Sequence, residues 1–496
     1  MDDAVTDDAV ADDAVAPDDA VTPDVEQARS AAALHDSVHG LREREPLASA
    51  SVAFVPWQKW VGLTGVAVLA GLLIVATTGT LIALTATCTA VYLITLADRV
   101  VLLSRGLARD AIMTIPDERA LAIPDEDLPT YTVLVPAYNE PEVIGDLIDA
   151  VTAIDYPAHK IEVLLLLEAD DAVTIDAAEA AGLGEVCEIL RIPPADPRTK
   201  PKACNYALHY ATGEIITIFD AEDRPDPLQL RRVAAAFSDL DDDVACVQAK
   251  LAFHNGSQNM LTAWFTADYA LWFNFLLPGL MKSDSPIPLG GTSNHIRADI
   301  LTDIGAWDPY NVTEDADLGV RIAARGYRTA VLDSTTLEEA NPDPINWVRQ
   351  RSRWYKGYLQ TWLVHMRRPV ALWRSLGTVG MFRFTTLLAG TPVIACLNMV
   401  FWLVTVSWIL GQPGIVAEVF PPFVYFPALI CLILGNATIL YCNFVAVRES
   451  GNPGLWWACL TVPLYWVLMS IAAIKGTYQL FANPSYWEKT VHGLAS

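Results

Sequence analysis

Between Trp60 and Leu103 the chain is almost entirely apolar. That run is long enough for two membrane crossings of roughly 20 residues each, with Thr77–Thr80 as the turn between them. So apolar a stretch is not left in water, and its backbone groups are satisfied in lipid only as helices. Lys59 precedes it, and Arg99, Arg105 and Arg109 stand at or beyond its end, so the positive-inside rule places both ends on the cytoplasmic side. A membrane hairpin is expected over residues 58–104, with the following segment in the cytoplasm.

A chain of 496 residues with 53% hydrophobic side chains is too large and too apolar for one soluble domain, which predicts a globular part beside the membrane part. The net charge of −25 argues against nucleic-acid binding, because no basic domain is present to neutralise phosphates. The motif "DDAV" recurs at positions 2, 7, 12 and 18, and residues 1–26 carry no basic side chain. An acidic, disordered tail is expected over residues 1–50, serving as a solvated spacer or a docking tail for a partner. The eight cysteines are scattered, without a Cys-x-x-Cys pair or a histidine cluster, so neither zinc nor a disulfide framework is expected. No basic segment leads directly into an apolar core at the N-terminus, which argues against a cleaved signal peptide.

From residue 110 the pattern changes. Apolar runs at 131–138, 161–168, 214–221 and 244–251 alternate with helical segments, which predicts a parallel sheet covered on both faces. Ligands bind such sheets beyond the carboxyl ends of the strands. The globular domain is expected over 110–375, including amphipathic interface helices near "NWVRQRSRWYKGYLQTWL" at 346–363. A second membrane hairpin is expected over 376–450, with spans at 385–410 and 423–447 joined by a segment free of Lys and Arg. The apolar stretch 455–481, broken by Pro463 and Lys475, reads as a fifth span, a short hairpin or an interface helix within the last unit, 451–496.

Four stretches carry chemistry. "VPAYNE" at 135–140 ends the first strand in groups suited to a base and ribose, although an ordinary strand-to-helix turn uses the same residues. "FDAEDRPDP" places Asp220, Glu222, Asp223 and Asp226 after a buried strand, where carboxylates two apart can share a divalent ion whose shell substrate phosphates complete. "PRTKPKACNYAL" offers Lys200 and Lys202 at a helix start suited to anions. In "NVTEDADLGV", Thr313 and one acid are explained by capping and the helix dipole, while a second acid is surplus and available as a general base.

In this order and spacing, and flanked by membrane segments, "VPAYNE", "FDAED", "TED" and "QRSRW" resemble the membrane-integrated family 2 glycosyltransferases, which include cellulose, hyaluronan and poly-N-acetylglucosamine synthases. The resemblance covers about residues 125–375. It implies a GT-A (Rossmann-like) α/β domain inserted between transmembrane helices of a multi-pass plasma-membrane protein. It also implies an inverting, metal-dependent transfer from a UDP-sugar, with Mg2+ or Mn2+, into a growing β-linked glycan guided across the lipid.

Carried over residue by residue, the resemblance assigns Pro136, Tyr138 and Glu140 to the nucleotide, with Glu168 or Asp170 on its base or ribose. Lys202 lies near the diphosphate. Asp220 with Glu222 or Asp223 holds the metal, the second carboxylate of the motif being Glu222 where the family has Asp. Asp315 is the base with Glu314 beside it, and Arg353 stands by the diphosphate. Gly291, Thr292 and Asn294 shape the acceptor pocket together with Gln350 and Trp354. Arg349, Lys356, Tyr358 and Trp362 read as an interface collar. "PSYWEKTVHG" resembles a gating loop, with Trp487, Thr490 and His492 over the nucleotide, and this favours an interface helix or a hairpin at 455–481.

Overall fold

A computed structural model describes residues 23–484 apart from Arg109 and Gln412, together with Tyr486 and Glu488. Its centre is a sheet of seven strands: β1 (Tyr131–Ala137), β2 (Ile161–Glu168), β3 (Glu188–Ile192), β4 (Ile215–Ile218), β5 (Val244–Phe253), β6 (Asn294–Arg297) and β7 (Arg328–Glu338). They lie in the order β3-β2-β1-β4-β6-β5-β7.

The pairings are parallel except those of β6, which runs antiparallel to both β4 and β5. The sheet is therefore mixed rather than wholly parallel. The difference has a local cause: β6 is only four residues long and is entered from Ser293 in a left-handed turn, so it leaves no apolar run to read. Alternate residues of β1 serve opposite faces, as strand geometry requires. Leu134 joins Leu164, Leu166 and Ile218 in one core, whereas Val133 and Val135 join Leu165, Ile144 and Val233 in the other.

The N-terminal expectation needs correction, because residues 23–50 are not a disordered tail. Pro23–Arg44 is a helix whose Ala33, Ser37, Val38 and Leu41 are buried. Their spacing forms one helical face, and the acidic repeats that masked it end before it begins. Asn205 of the Lys200–Ala207 helix donates to the Ser37 carbonyl at 3.3 Å, and the Ala50 N–H donates to the buried Asp308. The repeats in residues 1–22 lie outside the described residues.

Among the described residues, five helices are long and apolar enough to cross a membrane: Pro56–Val75, Thr77–Gly106, Pro369–Gly411, Pro422–Glu449 and Pro453–Ala482. The first two meet at Ala76, just before the expected turn. In the last, Trp456–Ala482 is a single helix continuous through Pro463, so no hairpin forms at 455–481. It packs along the Pro344–His365 helix, with the Trp347 and Tyr465 rings 5.0 Å apart.

The Thr77–Gly106 helix packs against the helical segment Trp272–Met281 through two glycines. A Cβ at Gly106 would overlap the Phe275 carbonyl, and one at Gly279 would overlap the Leu102 carbonyl, so the two backbones touch where side chains would hold them apart. Gly279→Ala is expected to destabilise the detergent-purified protein by about 1–3 kcal/mol, read as a lower thermal midpoint. Gly71→Ala, with open space around it, should leave the midpoint unchanged. Equal midpoints for the two variants would contradict this account of the junction.

Candidate functional site

The carboxyl ends of β1, β2 and β4 open into one cavity of about 1060 Å³. Pro136, Tyr138 and Glu140 line it at the end of β1, where Asn139 adopts a positive φ of 52° that asparagine tolerates well. Its N–H is held at 2.5 Å by Asp171, which also caps the helix Ala172–Ala180. Glu168, at the end of β2, lines the cavity, whereas the exposed Asp170 reaches it only through Arg198, to which it pairs at 2.7 Å.

The two lysines separate sharply. Lys202 is fully buried, pairs with Glu168 at 2.5 Å and does not line the cavity, so its assignment beside the diphosphate is corrected. Lys200 instead lines the cavity, where it pairs with Asp220 and donates to the Gly291 carbonyl at 2.8 Å. Helix geometry explains the exchange, since residues two apart on a helix face different sides. Burial works against the Lys200 ammonium, yet the Asp220 and Glu314 carboxylates hold its pKa above the ordinary lysine value.

Asp220, Glu222 and Asp223 all line the cavity after β4. Asp223 accepts the Asp220 N–H at 2.8 Å and the Thr292 hydroxyl through one oxygen, while its buried Oδ1 has no partner. Burial, then the Asp220 and Glu222 charges, push the Asp223 pKa well above the usual carboxylate range; burial and Asp223 do the same to Glu338. Crowded carboxylates with an orphaned oxygen fit a divalent cation. Among the described residues no three His, Cys, Asp or Glu side chains form a complete metal cage.

The surplus acids of the Glu314–Ala324 helix face the same space. Glu314 and Asp315 both line the cavity. Burial and the Asp315 charge push Glu314 up to about 8. Burial also raises Asp315, against the Ala316 N–H at 2.7 Å and the charges of Lys200 and Arg353. Gly291 lies opposite, where a Cβ would stand 3.4 Å from Asp315 Oδ2. Thr292 and Asn294 do not reach the cavity: both are buried, Thr292 holding Asp223 and Asn294 donating to the Gly290 carbonyl at 2.8 Å. They support the wall rather than form it, because β6 turns them inward.

Gln350, Arg353 and Trp354 line the cavity from the Pro344–His365 helix, together with Arg351, which sequence reasoning passed over. Arg351 pairs with Asp268 at 2.9 Å and lies 4.6 Å from the Trp354 ring. Two of the expected collar residues belong elsewhere. Lys356 is fully buried and donates to the Tyr486 carbonyl, and Tyr358 lines the cavity. Their positions on the inward face of an amphipathic helix outweigh the residue-type preference for the interface. Trp487, Thr490 and His492 lie outside the described residues, but Glu488 among them accepts from Lys475 at 2.7 Å and from Ser352 at 3.4 Å.

The cavity continues beyond the catalytic side chains between the apolar helices. Thr89, Tyr92, Thr95 and Arg99 line it from Thr77–Gly106, and Asn398, Trp402, Thr405 and Trp408 from Thr391–Gly411. All eight cysteines are free thiols, in agreement with their scattered placement.

Residues 129–357 match the family described as glycosyltransferase like family 2. The chain is 24% identical over 237 residues to the probable glycosyltransferase YdaM of Bacillus subtilis, covering 47% of this chain and 56% of that protein. It is 28% identical over 280 residues to the β-monoglucosyldiacylglycerol synthase of Trichormus variabilis, covering 55% and 58%. A probable glucomannan 4-β-mannosyltransferase of Arabidopsis thaliana is 24% identical over 377 residues, covering 71% and 63%. The chain thus spans a little over half the length of the curated relatives it matches. Residues 129–357, which hold the mixed α/β sheet and the acidic cavity, are thus similar to family 2 glycosyltransferases.

Proposed function

We propose that the chain is an inverting membrane glycosyltransferase that takes sugar from a UDP-sugar and repeats the transfer on one acceptor, building a β-linked polysaccharide. The observation that carries this reading is the continuity of the cavity. One space runs from Asp315 and Lys200, past Gln350 and Trp354, to Trp402 and Trp408 on an apolar helix. Hydroxyl, amide and aromatic side chains are among its lining residues, and these are groups that hold sugar rings.

Asp315 removes the proton from the acceptor hydroxyl as its oxygen attacks the anomeric carbon, and the bond to the diphosphate breaks on the opposite face. An α-linked donor then gives a β-linked product. Lys200 and Arg353 set positive charge beside the departing diphosphate. When bound, Mg2+ or Mn2+ held by Asp220 with Glu222 or Asp223 adds charge neutralisation there. Tyr138 and Glu140 hold the nucleoside. Trp354, stacked at 26° on Tyr269, keeps a fixed aromatic ring in the cavity beside Gln350.

A second reading, transfer of a single sugar to a lipid, is favoured by the apolar side chains Ile394, Phe401, Leu429 and Leu432 in the same wall. The Trichormus relative, by its name, makes a glucolipid. Labelled UDP-sugars supplied to the purified protein with Mn2+ distinguish the two by product size. A long polymer is expected; a one-sugar lipid adduct would replace the leading reading with the second. Chelation with EDTA should abolish turnover, and Mn2+ should restore it.

Asp315→Asn is expected to lower transfer by about 10²–10⁴-fold while leaving UDP affinity unchanged. Full turnover in that variant would remove Asp315 as base. The base acts ionised, and burial raises its pKa, so the rate should fall as pH drops through a value above the ordinary aspartate value of about 3.9. A pH–rate profile flat down to about pH 4 would contradict this placement.

A further inference from the structure

Where the cavity is walled by the apolar helices, its lining residues are neutral with a single exception, Arg99. It continues a polar stripe on one face of Thr77–Gly106, where Thr89, Tyr92, Thr95 and Arg99 recur at helical spacing. Among the described residues, Arg99 makes neither a hydrogen bond nor an ion pair.

The two carboxylates whose charges act on it are already engaged. Asp268 pairs with Arg351 at 2.9 Å, and Asp98 with Arg383 at 3.1 Å. Three guanidinium groups therefore face two carboxylates, and one positive charge is left over. A role as a plain interfacial anchor does not account for this, because Arg99 lines the cavity instead of facing outward. The neighbouring Arg105, bonded to Ser283 at 2.8 Å, already serves the helix end. An unpaired ion among apolar helices is costly and marks a path for a charged solute. A guanidinium in particular matches the two oxygens of a carboxylate or phosphate.

We infer that the glycan in this cavity is acidic, with a carboxylate-bearing or phosphate-bearing sugar unit that pairs with Arg99 as the chain leaves the catalytic centre. The inference rests on the polysaccharide reading above and narrows its product class. A lipid phosphate would offer the same chemistry, but the hydroxyl, amide and indole groups that line the cavity between the same helices suit sugar rings better than acyl chains. The charge of the product thereby becomes a property that the membrane helices select, independently of the catalytic carboxylates.

The test uses the full chain in neutral phosphatidylcholine nanodiscs. Its affinity for hexagalacturonate is compared with that for cellohexaose of equal length, for the wild type, Arg99→Gln and Arg99→Lys, with UDP affinity measured in parallel. Wild type should bind the acidic oligomer about tenfold more tightly than the neutral one, with the preference shrinking as salt is raised. Arg99→Gln should bring the ratio to about one with UDP affinity unchanged, and Arg99→Lys should keep most of the preference.

Equal affinity for the two oligomers in wild-type protein that still binds UDP and transfers sugar would overturn the inference and leave the polysaccharide reading standing. So would a preference that survives Arg99→Gln. Arg99-dependent binding of phosphatidic acid with no binding of hexagalacturonate would overturn it in favour of a lipid acceptor. Failure of wild type to bind UDP at all would overturn both readings.

Discussion

The site depends on how one buried guanidinium is held. Arg351 pairs with Asp268 at 2.9 Å, meets the Tyr465 hydroxyl at 3.0 Å and lies over the rings of Phe265, Trp347 and Trp354. Those partners come from three helices, Met260–Leu271, Pro344–His365 and Trp456–Ala482. A buried charge is tolerated only with such partners, so the three helices are locked into one arrangement. Gln350, Arg353 and Trp354 lie within three residues of Arg351 on the same helix, and their aim into the cavity follows from that lock.

The acidic end of the cavity poses the opposite electrostatic problem. Asp220, Glu222, Asp223, Glu314, Asp315 and Glu338 all line it, with Lys200 and Arg353 interspersed. Burial raises several of these carboxylates, and their mutual repulsion adds to the cost. A site of this kind gains stability from any cation it admits, and a divalent ion carried with a diphosphate supplies the needed charge. The repulsion among the clustered acids is thus the physical ground on which the proposed metal-bound donor rests.

Much of this was legible in the residues. The strands β1, β2, β4 and β5 announce themselves as apolar runs, and the acids after β4 and at Glu314–Asp315 stand out because a buried strand and a helix cap do not need so many. What stayed hidden depends on facing. Lys200 and Lys202 are equivalent in a one-dimensional reading, yet helix rotation sends one to Asp220 and the other to Glu168. Lys356 and Tyr358 have interfacial composition but inward positions. The Pro23–Arg44 helix was overshadowed by the acidic repeats before it, and its buried face becomes visible only beside the Lys200–Ala207 helix that covers it.

The helix Trp456–Ala482 is tied to the rest of the chain near both of its ends. Here the beginning is held by Trp264, which donates to Thr461 at 2.9 Å. The far end meets Phe54, stacked on Phe481 with centroids 5.4 Å apart, just before the first apolar helix starts. Gln58, at the foot of that first helix, donates to the Leu363 carbonyl at 2.7 Å, so the end of Pro344–His365 lies at the same level. Beyond the helix, Glu488 returns to Ser352 and Lys475. Both ends thus touch the catalytic domain and the entrance of the first span.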